Sequence, residues 1–211
     1  GWDGENKILL DGSLEKGKGV FHPAKGNKKY MAGAAAEFSA TRSFPPKGHK
    51  PYNGVISQGV FSGKTDKGAG FALQRTIRKS PSLGVKPPEG AIVLFDGSGE
   101  SMKNWAGGRF DEKTGLLNTD GKDIRTRQKF LNYVMHVEFM LPFKPDARSQ
   151  GRGNSGFYQV DMYEMQILDS FGLMGLNNEC GGIYQKADSK VNMCLPPLQW
   201  QAYDVDFSSA V

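Results

Sequence analysis

From residue 91 to the end of this 211-residue sequence no stretch brings apolar side chains back at the spacing of an amphipathic helix; as in the part before it, they come in short runs cut off by Gly, Asn or Pro. A chain interrupted this often buries apolar surface only by stacking short strands, so the pattern points to antiparallel β-structure. Glycine supplies most of the punctuation, with 28 of 211 residues against a usual share of about 7%. Together with 11 prolines it stays below the roughly 25–30% that marks a low-complexity chain, so these residues divide a fold rather than dissolve one. No run of about 18 apolar residues occurs, which excludes a transmembrane helix.

The charge is unevenly placed. Residues 1–90 carry 15 Lys and Arg against 7 Asp and Glu, and residues 91–211 carry 12 against 15. That asymmetry suggests two units. The lysines of the basic part are scattered singly through Gly-rich turns, without interleaved aromatics on one face, so they read as solvated turns and not as a nucleic-acid surface. The sequence opens at Gly1 with no charged-then-apolar leader, so a signal peptide is expected to have been removed or to lie outside it.

Residues 1–78 read as a small antiparallel β unit of unassigned function. Its apolar pieces are Lys7 to Leu10, Val20-Phe21, Gly54 to Ile56, Val60-Phe61 and Phe71 to Ile77, with Gly-bearing turns between them. A Gly-x-[Leu/Ile]-x-x-Gly pattern at Gly12 has a looser echo at Gly54, which hints at a repeated hairpin although two weak copies arise more often by chance than from an array. His22 and His49 are expected in turns and carry no site. Residues 79–90 hold consecutive prolines and further turn-formers, which resist regular structure and mark a linker. From residue 91 to 211 the strand candidates are Ala91 to Phe95, Leu116-Leu117, Asp123 to Thr126, Tyr133 to Leu141, Phe157 to Val160, Tyr163 to Asp169, Gly182 to Tyr184 and Trp200 to Phe207. The clearest is Tyr133 to Leu141, where Tyr133, Met135, Val137, Phe139 and Leu141 alternate with Val134, His136, Glu138 and Met140, turning the His/Glu face outward. Such a series fits an antiparallel sandwich or jelly roll.

Tyr163 to Asp169 is the segment richest in chemistry. Period 2 sends Tyr163, Met165 and Ile167 to the core and Glu164 and Gln166 to the opposite face, and a bulge near Leu168 would bring Asp169 back beside them. An acid, an amide and an acid would then stand in one row, the equipment of acid/base work on sugars, although a solvated strand face has the same alternation. Gly153-Asn154-Ser155-Gly156 precedes this strand, and Asp169-Ser170-Phe171-Gly172 ends it. Asn178 to Tyr184, Val191 to Pro197 and Trp200 to Phe207 follow in order.

This succession of motifs resembles the 3-keto-disaccharide hydrolase domain family, long a domain of unknown function, over about residues 90–211. The unit ahead of it is similar to a segment preceding that domain in some members. The resemblance implies an all-β, concanavalin A-like antiparallel sandwich that continues in family members past the strand ending at Phe207, so either the chain is truncated or processed or a further chain or subunit supplies the missing strands. It also implies a carbohydrate partner, an oxidised glucoside or disaccharide, cleaved by elimination and hydration at a 3-keto sugar. Glu164 or Asp169 would act as base, the other as acid, and Gln166 would orient the enolate oxygen. Glu164-x-Gln166-x-x-Asp169 is also similar to the bulged acidic strand of laminarinase-type glycosidases, with the middle acid replaced by an amide and the last shortened. The alternative is a lectin-like binding module with the same groove and no turnover.

Around this row the substrate-binding candidates are Asn154, His136, Glu138, Arg127 and Trp105; Asn154 equally suits a left-handed turn, and His136 with Glu138 equally suits a solvated face. Trp105 and Trp200 have the flat rings that stack on a pyranose, with Trp200 expected in the core. The residues name no cofactor or metal site; a divalent cation stays open. Cys180 and Cys194 lack the neighbouring cations of a nucleophilic thiol and the spacing of a zinc site. In an oxidising compartment they would form a bridge worth about 3 kcal/mol, and in cytosol they would be two buried thiols. The resemblance implies an exported, periplasmic or extracellular protein, and with it the bridge.

Overall fold

A computed structural model of the chain describes residues 10–23 and 50–209. Residues 7–9 of the first strand candidate and His49 lie outside them. The described chain is almost entirely antiparallel β-structure, with two short 3-10 turns, at Gly99–Asn104 and Ser149–Gly151. No helix among the described residues is long and apolar enough to cross a membrane. By internal contacts the chain forms two compact units. Residues 1–79, 140–158 and 163–200 make the first, and residues 80–139, 159–162 and 201–211 make the second.

In the first unit, β1 (Leu10–Glu15), β2 (Lys18–Pro23), β3 (Asn53–Ser57), β4 (Val60–Lys64) and β5 (Gly70–Gln74) form a five-stranded meander in sequence order. Its β1–β2 turn places Lys16 and Gly17 at φ 49° and 75°, and its β3–β4 turn places Gln58 and Gly59 at 49° and 77°. Two left-handed residues in succession match the twist of a two-residue hairpin, so the echo between Gly12 and Gly54 is one hairpin built twice. His22 lies in β2 and not in a turn, because its segment continues the pairing as far as Leu10↔Pro23. Phe21, Phe61 and Phe71 pack edge to face across the strands, with ring centroids 5.3 and 5.2 Å apart. Glycine makes room for them: a Cβ on Gly54 would stand 2.6 Å from the Phe61 ring, and one on Gly63 would stand 1.9 Å from the Asn53 carbonyl oxygen.

Further along come β6 (Trp105–Ala106), β7 (Arg109–Asp111), β8 (Leu116–Asn118), β9 (Arg125–Thr126) and β10 (Tyr133–Met140), then β11 (Ser155–Gln159), β12 (Tyr163–Ile167) and β13 (Trp200–Phe207). They pair as β6 with β9, β7 with β8, β10 with β13 and β11 with β12. Along β10 partly buried and exposed residues alternate without a break, as its sequence dictates, and Val134 on the outward face is 82% exposed. Two expected strands differ. Residues 91–95 pair with no strand, because the Asn104 amide donates to the Val93 and Leu94 carbonyls and the Trp105 indole N–H to that of Leu94, 2.9 Å away. Of residues 182–184 only Ile183 makes bridges, to Met165 and to Ala187. Buried apolar side chains of the first unit include Leu141, Ile167, Leu168 and Leu195, so its core gathers at the end of β12.

Candidate functional site

Glu164 and Gln166 share one face of β12, as period 2 requires. Facing them from β11 and the residues before it are Asn154, Gly156 and Tyr158, again every second residue. The Tyr158 hydroxyl donates to Glu164 Oε2 at 3.0 Å. Gly156 leaves the space through which the Glu164 side chain crosses, since a Cβ there would lie 1.9 Å from Oε1. Gln166 is only 1% exposed. Its amide N–H donates to Gln150 Oε1 at 2.9 Å, and the exposed Asn154 donates to the same oxygen at 3.0 Å. Gln150 in turn donates to the Asn178 carbonyl at 2.8 Å. The face therefore offers one half-buried carboxylate, one phenol and one outward amide, backed by a buried relay of amides.

Asp169 is placed differently from the expected row. β12 ends at Ile167 with no bulge to carry the alternation on, and Leu168 and Asp169 are both buried. The Asp169 carboxylate is taken by Arg152, whose Nε donates at 3.1 Å and whose Nη2 lies closer still. A carboxylate 2% exposed with a guanidinium on it has no opening to a sugar ring. Gln166, equally enclosed, reaches substrate only through Gln150 and Asn154.

Below this lies a loop region held by buried polar side chains. Asn192 donates to the Ser170 and Leu173 carbonyls at 2.8 and 2.9 Å and accepts from the Cys194 N–H at 2.9 Å. Glu179, fully buried, accepts the N–H groups of Gly175 and Leu176 through Oε2. The expected Cys180–Cys194 bridge is not formed: both are buried thiols outside any disulfide. Cys194 Sγ lies 3.4 Å from the Leu168 carbonyl oxygen and 3.3 Å from that of Leu195. The adjoining Cys180 thiol, and burial after it, raise the Cys194 pKa far above the usual range, so the group stays protonated. With the bridge goes the support it would have lent to an oxidising compartment.

The remaining candidates, Trp200 apart, belong to the second unit. His136 and Glu138 stand on the outward face of β10, and Asp204 of β13 joins them. His136 Nδ1 is 2.7 Å from Asp204 Oδ1, and Nε2 is 3.1 Å from Glu138 Oε1. Ser82 donates its hydroxyl to Asp204 at 2.6 Å, and the Gly84 N–H donates to Glu138. Bonding to Asp204 raises the His136 pKa above its ordinary value, against the opposing pull of partial burial. The Gly84 N–H keeps Glu138 below its ordinary value, and the Ser82 hydroxyl, followed by His136, does the same for Asp204. Trp105 is half-buried, and its indole N–H donates to the Leu94 carbonyl. Arg127 is exposed just past β9, its backbone N–H bonded to the Asn104 carbonyl at 2.8 Å. Trp200, expected in the core, is 39% exposed at the start of β13.

Tyr158, Gln150, Arg152 and Asp204 were missed by sequence reasoning. Extending the alternation from Asn154 reaches Tyr158, and pairing the two outward faces of β10 and β13 reaches Asp204. For Arg152 and Gln150 no periodic signal exists, since they lie in and beside a 3-10 turn. Among the described residues no group of three or more His, Cys, Asp or Glu side chains is placed to hold a metal ion.

Comparison with known proteins agrees with the motifs around β11 and β12. The crystal structure of a "putative glycosyl hydrolase" from Parabacteroides distasonis ATCC 8503 is similar at 33% identity and a TM-score of 0.53, over 59% of this chain and 55% of that one. The alignment thus spans little more than half the length of that protein. No curated protein sequence matches. Both the solved structure and the family match are of a carbohydrate-related, hydrolase-like kind. Residues 90–210 match the 3-keto-disaccharide hydrolase family, described as the 3-keto-alpha-glucoside-1,2-lyase-like domain, and the chain belongs to that family.

Proposed function

We propose that the chain cleaves a glycoside whose C3 hydroxyl has already been oxidised to a ketone, with Glu164 as the base. The observation that carries this reading is the Glu164 carboxylate, laid across Gly156 and held by Tyr158, on the one face of β12 that also presents an outward amide. A C3 ketone acidifies the proton on C2. Glu164 removes that proton, the electron pair forms the C3 enolate, and its collapse expels the C1 aglycone oxygen, which leaves as an alcohol after taking a proton. Water then adds at C1 of the enone and C2 regains a proton, so the net change is hydrolysis. Such a route needs no strong nucleophile, in keeping with a site that has none. Asn154, with one amide N–H on Gln150 and the other outward, suits the enolate oxygen. Gln166 and Gln150 hold it there, and Asp169 with Arg152 fixes the end of the strand behind them. An exported location belongs to the same proposal and is checked by fractionation of the producing cells.

The test is release of aglycone from a 3-keto-glucoside, with the unoxidised glucoside as control. Turnover of the first and not the second is expected. Saturable binding of the keto-sugar without any release would replace this reading by the lectin-like one.

A further inference from the structure

A cavity of about 390 Å³ opens in the first unit, away from the Glu164 face. One wall is the extended segment after β5, Arg75 to Arg78, and the opposite side is Phe171, Leu195, Pro196 and Gln199. Its volume falls at the small end of the range for small-molecule sites, about 300–1,000 Å³. The chemistry of the lining is one-sided. Two guanidinium groups border it, and among its lining residues there is no carboxylate. The Arg78 guanidinium is oriented by the Cys194 carbonyl at 3.4 Å and the Met193 sulfur at 3.7 Å. Arg75 is anchored by its backbone, which donates to the Gly59 carbonyl at 2.8 Å at the β3–β4 turn, and among the described residues its side chain ion-pairs with no carboxylate. The floor is apolar: Leu195 is 6% exposed, while Phe171 turns 42% of its surface outward.

We propose that this cavity binds the anionic group of an acidic saccharide, a uronate carboxylate or a sulfate ester, with Arg75 and Arg78 as its ligands, Phe171 against the sugar ring and Gln199 on a hydroxyl. The proposal rests on the carbohydrate reading above and adds a charged residue of the glycan to it. Guanidinium groups meet a carboxylate or sulfate through paired N–H donors, and the apolar floor beneath strengthens that attraction relative to open water. A flat apolar ring beside a polar fork is the combination that a pyranose carrying one charge calls for.

The test is titration of the full chain with glucuronate, glucose 6-sulfate, glucose and acetate, read by calorimetry. At least one of the two acidic sugars is expected to bind about ten-fold or more tightly than glucose or acetate. The tighter of the pair shows whether the source is carboxylate or sulfate. Arg75→Ala, at an exposed position, is expected to weaken that binding about ten-fold with the urea midpoint unchanged, and Arg78→Lys, which keeps the charge but loses the fork, to weaken it less. Equal binding of glucose or of acetate overturns the proposal, as does no binding at all, or an Arg75→Ala protein that binds like the parent. Acidic-sugar binding in a chain that cleaves no keto-glycoside leaves this pocket standing and sinks the proposed reaction, and the reverse result does the opposite.

Discussion

Around Asp169 and Asn192 the polar side chains are shut away from water and tied one by one to the backbone or to a single ion partner, while around His136 they stay half in solvent and hold one another by charge. The first arrangement depends on each hydrogen bond, because a buried group that loses its partner bears the whole cost of leaving water. The second depends on protonation, because exposed ions are screened and adjustable. Only beside the first does a reachable carboxylate, Glu164, sit on a scaffold with no freedom to drift. On the proposed reading, chemistry belongs to the first region and attachment of the Ser82–Gly84 segment to the second.

The assignment breaks most sharply at Glu164. Glu164→Gln keeps shape and hydrogen bonding, and release of aglycone should fall about 100- to 10,000-fold. Asp204→Asn should leave the rate within about three-fold of the parent, since Asp204 contributes an exposed charge and not a proton acceptor for the reaction. The reverse ranking in the same assay would move the reaction to the His136 cluster. Gly156→Ala is expected to lower the rate by about 10- to 100-fold through displacement of the Glu164 carboxylate. Because the clash falls on the Glu164 side chain from Cγ outward and on no backbone atom, its urea midpoint should stay close to the parent's.

Stability sharpens the contrast on a smaller scale. Asn192→Ala strips two carbonyls and one N–H of their partner, and equilibrium urea unfolding should show a loss of about 2–4 kcal/mol. Asp169→Asn leaves Arg152 beside a neutral amide, with a loss of about 2–3 kcal/mol expected, below the full value for a buried pair because Arg152 is 29% exposed. A loss below about 0.5 kcal/mol for both would show that the region tolerates unpaired groups, and the comparison would dissolve.

The smallest effect is a pH dependence. His136 is raised in the folded chain, so its contribution is complete below its ordinary value of 6.5 and fades as pH rises through the raised one. Glu138 and Asp204 are lowered, so theirs is complete above their ordinary values of 4.5 and 3.8 and fades as pH falls through the lowered ones. All three act together between roughly pH 4.5 and 6.5, and with side chains exposed by a third or more their sum should stay under about 1 kcal/mol. Urea midpoints at pH 6 and pH 9 measure it. His136→Gln should flatten the difference between them.

Much of this architecture was legible because strands announce themselves through alternation. Trp200–Phe207 is a strand over the bounds its sequence suggests, and Tyr133 to Leu141 loses only its last residue. Residues 91–95 have the same apolar look but lack a neighbour, because side chains of Asn104 and Trp105 consume the carbonyls a strand would use. No local pattern encodes that competition. Within the site, Glu164 and Gln166 follow from period 2, whereas Asp169 lies past the end of the strand and its orientation depends on Arg152, 17 residues earlier. A partner at such a distance leaves no periodic trace. Nor does burial of an amide such as Gln166, which the same alternation had turned toward solvent.

The meander β1–β5 also bears on how the chain is made. Three of its pairings, β1–β2, β3–β4 and β4–β5, join strands only a few residues apart, and local contacts of this kind form fast. β10 has no such neighbour: its partner β13 is the last strand, and everything from residue 141 to 199 must be synthesised first. During that interval β10 is an open edge, with Val134 and Met140 on its outward face, the kind of surface that pairs with the wrong chain. Slow translation of the stretch between β10 and β13 would therefore lengthen the aggregation-prone interval, while the same pause before β5 would cost little.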